Sequence, residues 1–134
     1  MKKILAILLT VCMVVCMIPG AAFADTPAGW STQISDAKAY NKDTQKTGYD
    51  YKVDDTTLYI ATAKGLAWYA NSNNFSAYTT VVLENDINLS AYVWDKTIGN
   101  DNTAFTASFD GNNKTITGLK MEDGTSTVAG LFGQ

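Results

Sequence analysis

Asp54, Asp55, Asp86, Asp95, Asp101, Asp110, Glu122 and Asp123 are the side chains of this sequence best suited to act on a glycosidic bond. Glycoside hydrolases set two carboxyl groups on either side of the bond they cut. Clustered acids of this kind also bind calcium, but no EF-hand spacing occurs among them. A conformational role accounts for most of them more simply. Asp86, Asp110 and Asp123 stand in turn-forming sequences, where an aspartate bonds its own backbone, and Asp54 and Asp55 lie in a polar lead-in.

Other chemistries lack their residues. The chain has no His, and its ten basic residues are all lysines. Its two cysteines, Cys12 and Cys16, both lie in the first 24 residues. Ser-His-Asp and Cys-His catalysis and the HExxH zinc motif therefore have no residues to work with beyond that point. We expect no enzyme, no cofactor and no metal, with a carboxylate-pair glycosidase as the one catalytic alternative. Trp30, Trp68, Trp94 and the tyrosines have faces that stack on sugars. Trp68 falls in a helical segment that faces a core, so Tyr92 and Trp94, in a polar loop-like stretch, are the candidate ligand platform. Three N-x-S/T sequons, at Asn74, Asn88 and Asn113, are read as turns.

The elements that must position these groups begin with a segment that leaves. Lys2 and Lys3 precede an apolar run from Ile4 to Ile18, Pro19 and Gly20 break it, and Ala22-Phe23-Ala24 is a small-x-small cleavage site. Residues 1–24 thus read as a secretory signal peptide cut near Ala24-Asp25. A retained membrane anchor is the alternative, but the run is shorter than a membrane span requires. Val11 and Val15, where a lipoprotein needs a small residue before its cysteine, exclude that route. Removing 24 of 134 residues leaves 110, with eight lysines against 13 acidic residues and a net charge of −5. Such a surface disfavours nucleic acid and anionic lipid. The expected location is secreted or at the cell surface, without membrane insertion, and stability must come from burial and backbone pairing rather than disulfides.

Residues 25–57 are polar and are expected to be a linker or N-terminal cover, anchored locally by Trp30, Ile34 and Tyr40. Leu58-Tyr59-Ile60 is a short strand signal. Thr62 suits a helix N-cap, and Ala63, Leu66, Ala67 and Ala70 follow at helical spacing. Gly65 weakens that helix by about 1 kcal/mol relative to Ala. After Phe75 the pattern turns to strands. Thr79 to Leu83 is β-branched and apolar, and Phe105, Ala107 and Phe109 alternate with Thr106 and Ser108. Asp110-Gly111-Asn112-Asn113 is a strong turn, Gly118 permits a bend or bulge, and Asp123-Gly124 turns again before Val128. Short strands between such corners suit a sandwich, a barrel or a solenoid. Leu83–Ile87 and Phe109–Asn113 share an apolar-then-turn design about 26 residues apart, a spacing found in solenoid repeats.

Leu66-Ala67-Trp68-Tyr69-Ala70-Asn71, Leu83-Glu84-Asn85-Asp86-Ile87-Asn88-Leu89, Thr97-Ile98-Gly99, Phe105 through Leu119, and Gly130-Leu131-Phe132-Gly133 occur in that order. The ordered set resembles the N-terminal part of GLUG-motif proteins, found in clostridial and related surface proteins and in some IgA-specific metallopeptidases. The match spans roughly residues 57–133. Gly65 departs from it, since the family usually carries an acidic helix residue there. The resemblance implies a mainly β fold, the start of a right-handed parallel β-helix of the pectin-lyase type, with a short capping helix and first coils over residues 58–134. Gly130 and Gly133 would turn tight corners beside Leu131 and Phe132, which pack in a stacked core. Pectate lyases of that shape use a catalytic arginine, so no lyase activity carries over. Because the sequence ends just after the first GLFG, the expectation is a truncated solenoid whose open end self-associates. The function implied is a non-enzymatic scaffold or adhesin, with a host or cell-wall glycan or protein as partner. The alternative is the non-catalytic front of a larger secreted polysaccharide-degrading enzyme or IgA-type peptidase.

Overall fold

The computed structural model describes residues 28–121 and 130–133. The signal segment, Glu122, Asp123, Gly124 and Val128 lie outside them, so the expectations placed there have no structural counterpart below. The described chain is mainly sheet with one helix, and its principal sheet is mixed and does not close into a barrel.

The first strands form a hairpin. β1 (Tyr51–Asp54) runs antiparallel to β2 (Thr57–Ile60), with Tyr51 opposite Ile60 and Asp54 opposite Thr57. Asp55 makes the turn at φ 52°, a left-handed conformation that Asp tolerates better than most residues. Tyr51–Asp54 thus belongs to the sheet rather than to a polar lead-in. Gly29 to Trp30 is also built in, because Trp30 is only 6% exposed and joins the core. Gly29 forms a parallel bridge to Val93.

Helix α1 (Ala63–Asn71) follows directly. Thr62 caps it as expected, its Oγ1 accepting from the Gly65 amide at 3.2 Å. The same hydroxyl donates to Asp50 Oδ1 at 2.6 Å, which fastens the helix start to the chain before β1. Leu66, Ala67 and Ala70 face inward as the spacing predicts, and Tyr69 joins them fully buried. Trp68 stays half-buried and stacks on Tyr51 at 3.8 Å. Gly65 has a positive reason to be Gly. A Cβ there would lie 2.0 Å from the Asp50 carbonyl oxygen, which itself accepts a 2.9 Å bond from Ala61 N.

From β3 onward the named strands of the described residues pair in parallel. β3 (Thr80–Leu83) lies beside β2 with Thr57 opposite Thr80, and β5 (Ser108–Asp110) lies beside β3 with Thr80 opposite Ser108. β4 (Ile87–Asn88) pairs with β6 (Ile116–Thr117), and Ile98 bridges Phe132. Along the chain these partners stand 23, 28, 29 and 34 residues apart. Alternation sends Leu58, Ile60, Val81 and Leu83 inward, all at most 1% exposed. The strand pairing is offset by two residues from the sequence alignment, since Phe109 pairs with Val81 and not with Leu83. What does repeat is a corner device. Asn85 Nδ2 donates to Ala61 O, just past β2, and Asn112 Nδ2 donates to Leu83 O, the end of β3, each at 3.0 Å. In the turn after β5, Asn112 and Asn113 carry the positive φ values, 49° and 55°. Gly118 also takes a left-handed φ of 69°.

Candidate functional site

Three of the candidate carboxylates, Asp86, Asp95 and Asp110, accept from backbone amides. Asp110 Oδ1 accepts from Asn112 N at 2.8 Å, within its own turn, and Asp86 Oδ1 accepts from Thr115 N at 2.9 Å in the neighbouring row. Asp95 holds the N-terminal arm, accepting from both the amide and the hydroxyl of Ser31. Asp55 is the hairpin turn residue, and Asp54, Asp55 and Asp101 are exposed. Asp50, which the sequence reading passed over, takes Lys38 N at 2.7 Å on Oδ2 while holding Thr62 on Oδ1. Lys64 Nζ donates to Asp36 at 2.8 Å and holds that carboxyl below its ordinary range. Among the described residues no three His, Cys, Asp or Glu side chains gather to hold a metal.

Trp94 is not a ligand platform. It is 2% exposed and sits in the core, so its indole presents no face on which a sugar could stack. Its Nε1 finds no hydrogen-bond partner among the described residues. Tyr92 is half-buried and meets Trp30 edge-on at 4.9 Å. The two candidates are therefore drawn into packing, and the polar neighbours Asp95 and Lys96 made the segment read as a loop.

The Gly130–Gly133 segment lies across the turn at Thr97–Gly99. Ile98 N donates to Leu131 O, and Gly133 N donates to Ile98 O, both at 2.9 Å. A Cβ on Gly133 would stand 2.2 Å from Gly99 O, so close backbone approach requires glycine there. Leu131 packs against the core, but Phe132 is 39% exposed and meets Phe105 at 5.4 Å and Phe109 at 5.1 Å.

One surface escaped the sequence reading. In the row Lys52, Tyr59, Val82, Asp110, each residue stands opposite the next across the sheet, and the row alternates with the inward-facing Leu58 and Val81. Lys52 Nζ lies 5.2 Å from the ring centre of Tyr59 and 5.5 Å from that of Tyr40. Tyr49 meets Tyr40 edge-on at 5.2 Å and donates its hydroxyl to Glu84 Oε2 at 2.9 Å. Burial and that acceptor push the Tyr49 hydroxyl above its ordinary pKa. Tyr40 is 36% exposed. The cluster combines ring surface, an ammonium and hydroxyl groups, a set that suits a saccharide or another flat polar ligand. No periodic signal marks it, because Tyr40, Lys52 and Tyr59 come from three separate segments. Among the described residues no helix is long and apolar enough to cross a membrane.

No family model, no curated protein and no solved structure matches this chain.

Proposed function

We propose that this chain is the opening part of a right-handed parallel β-helix in an exported, non-enzymatic surface protein of the GLUG type, serving as scaffold or adhesin. The observation that carries the reading is the set of parallel pairings. Strand after strand lies beside a partner 23 to 34 residues back, in three separate places. A chain that keeps returning to its own flank at that interval stacks coils. In this reading α1 and the β1–β2 hairpin cover the first coil, and Asn85 and Asn112 tie successive corners together.

The signal-peptide pattern supports export, and the turn and capping duties of the carboxylates support a role without catalysis. Adhesion would use the outer face at Tyr40, Lys52 and Tyr59 toward a host or cell-wall glycan. The test is a glycan-array and cell-wall binding assay on the exported chain, with N-terminal mass spectrometry of the secreted material. Binding lost in Tyr59→Ala and Lys52→Ala, with a terminus at Asp25, is the expected result. Retention of Met1 in the membrane fraction, or glycan turnover abolished by one carboxylate substitution, would overturn it.

A further inference from the structure

Two lysines among the described residues are half-buried, Lys52 and Lys64. Lys64 has an acid, for its Nζ meets Asp36 at 2.8 Å. The other ion pair among the described residues joins Lys42 to Asp43, so Lys52 has no carboxylate in contact. In place of one, its Nζ has the Tyr59 ring at 5.2 Å and the Tyr40 ring at 5.5 Å. The carboxylate of the same cluster is engaged elsewhere, since Glu84 Oε2 takes the Tyr49 hydroxyl at 2.9 Å. A lysine ammonium is a compact, strongly hydrated charge, and ring faces replace only part of the water it gives up. The chain as a whole is acidic, with 13 carboxylates against ten lysines, so an ammonium left to rings is a local inversion of sign. The rest of the face is arranged around it. Thr57 stands opposite Thr80 and Tyr59 opposite Val82, all half-buried and all on the outer side of the sheet. Asp54, opposite Thr57, and Asp110, opposite Val82, are exposed and bound that patch on two sides.

We infer that the ligand of this face is a saccharide carrying one isolated carboxylate. The carboxylate meets Lys52 Nζ, the sugar ring lies along the tyrosine rings, and its hydroxyls reach Thr57 and Thr80. The inference rests on the glycan-binding reading above and narrows it. A single anion supplies what the half-buried ammonium lacks, whereas a neutral sugar offers it only hydroxyl oxygens. A polyanion would also run past Asp54 and Asp110, where like charges repel it. The terminal sialic acid of a host glycan and the muramic acid of a cell wall both present this chemistry, and matched probes separate the two sources.

Titration calorimetry on the exported protein tests it with 3′-sialyllactose against lactose, N-acetylmuramic acid against N-acetylglucosamine, and polygalacturonate as the polyanion. In one pair the acidic member should bind roughly tenfold tighter than its neutral counterpart, and the pair that does so names the source. Added salt should narrow that gap. Lys52→Met, which keeps the aliphatic stem, should erase it, while Tyr59→Ala should weaken both members alike. Asp54→Asn should tighten the acidic sugar about threefold and leave the neutral one unchanged, a gain that misfolding does not produce. Equal binding of acidic and neutral members, a gap that survives Lys52→Met, or a preference for polygalacturonate would each overturn the inference and leave a glycan-binding face in place. No binding to any of these probes overturns it too, and silence across the glycan array as well removes the broader reading.

Discussion

Trp30 Nε1 donates a 3.1 Å hydrogen bond to the main-chain carbonyl of Leu89, 59 residues further along the chain. Together with the bonds Trp30 N to Val93 O at 2.9 Å and Val93 N to Ala28 O at 3.1 Å, it sews the N-terminal arm to the segment after β4. The arm is therefore part of the core, and its one large side chain is held by polarity as well as by packing.

Trp30 and Trp94 are buried alike, at 6% and 2% exposure, but Trp94 Nε1 has no partner among the described residues. Replacing either by Phe removes similar volume. At Trp30 the change also strips a donor from a buried carbonyl, whereas at Trp94 it removes an unpaired N–H. Trp30→Phe should thus cost about 2 kcal/mol more than Trp94→Phe, since an unpaired buried polar group costs about 1–3 kcal/mol. Urea unfolding of the two variants decides it, and a Trp94 variant as destabilised as the Trp30 one contradicts the argument.

Gly65→Ala sets helix propensity against contact. Propensity alone promises a gain of about 1 kcal/mol. The added methyl would stand 2.0 Å from Asp50 O, in a backbone junction also held by Thr62 and Ala61. Overpacking of this sort costs about 1–3 kcal/mol, so the net effect should be a lower melting temperature. A rise in the midpoint would show that α1 can slide away from β1 cheaply.

Burial pushes the Tyr69 hydroxyl up to about 12 from an ordinary value of 10, and the group donates to Phe75 O at 3.3 Å. The folded state favours the neutral phenol. Its stabilising contribution is whole below pH 10 and is lost as the pH climbs from there toward 12. Tyr69→Phe should therefore lose less stability than the parent chain as the pH rises from 10 to 12. The measurement is the urea midpoint at each pH. Parallel loss in both proteins would place the alkaline transition on Tyr49, Tyr51 or Tyr78, whose hydroxyls burial also raises.

Local physics was readable in the sequence, and long-range placement was not. Thr62 with the Leu66, Ala67, Ala70 stripe announces α1 because a cap and a helical face are set within a few residues. The Asp110 turn is equally local, its carboxylate reaching only to Asn112. Tyr-Lys-Val-Asp, by contrast, has two charged residues in four and gives no strand signal; it becomes β1 because Asp55 folds it back on Leu58 and Ile60. Gly65 read as a defect in a helix, since nothing in its neighbourhood tells that a carbonyl from Asp50 will press on it. Trp94 read as exposed for the same reason: the charged Asp95 and Lys96 follow it, while the residues that bury it lie elsewhere. The Tyr40, Lys52, Tyr59 cluster depended on strand register, which periodicity does not set.

The partner distances along the chain also impose an order in time. A polypeptide leaves the ribosome N-terminus first, and short reaches close before long ones. Once Leu83 has emerged, β3 can settle on a β2 that already exists, and β5 can then settle on β3, each new strand copying the direction of the last. Trp30 cannot follow that schedule. Its acceptor on Leu89 and its bridge partner near Val93 arrive some 60 residues after it does, so the arm must wait with its indole uncovered until the middle of the chain is present. Trp30 is thus fastened only about 60 residues after it is made. A nascent chain stalled before Leu89 would hold a hairpin, a helix and a strand, but not its N-terminal seam.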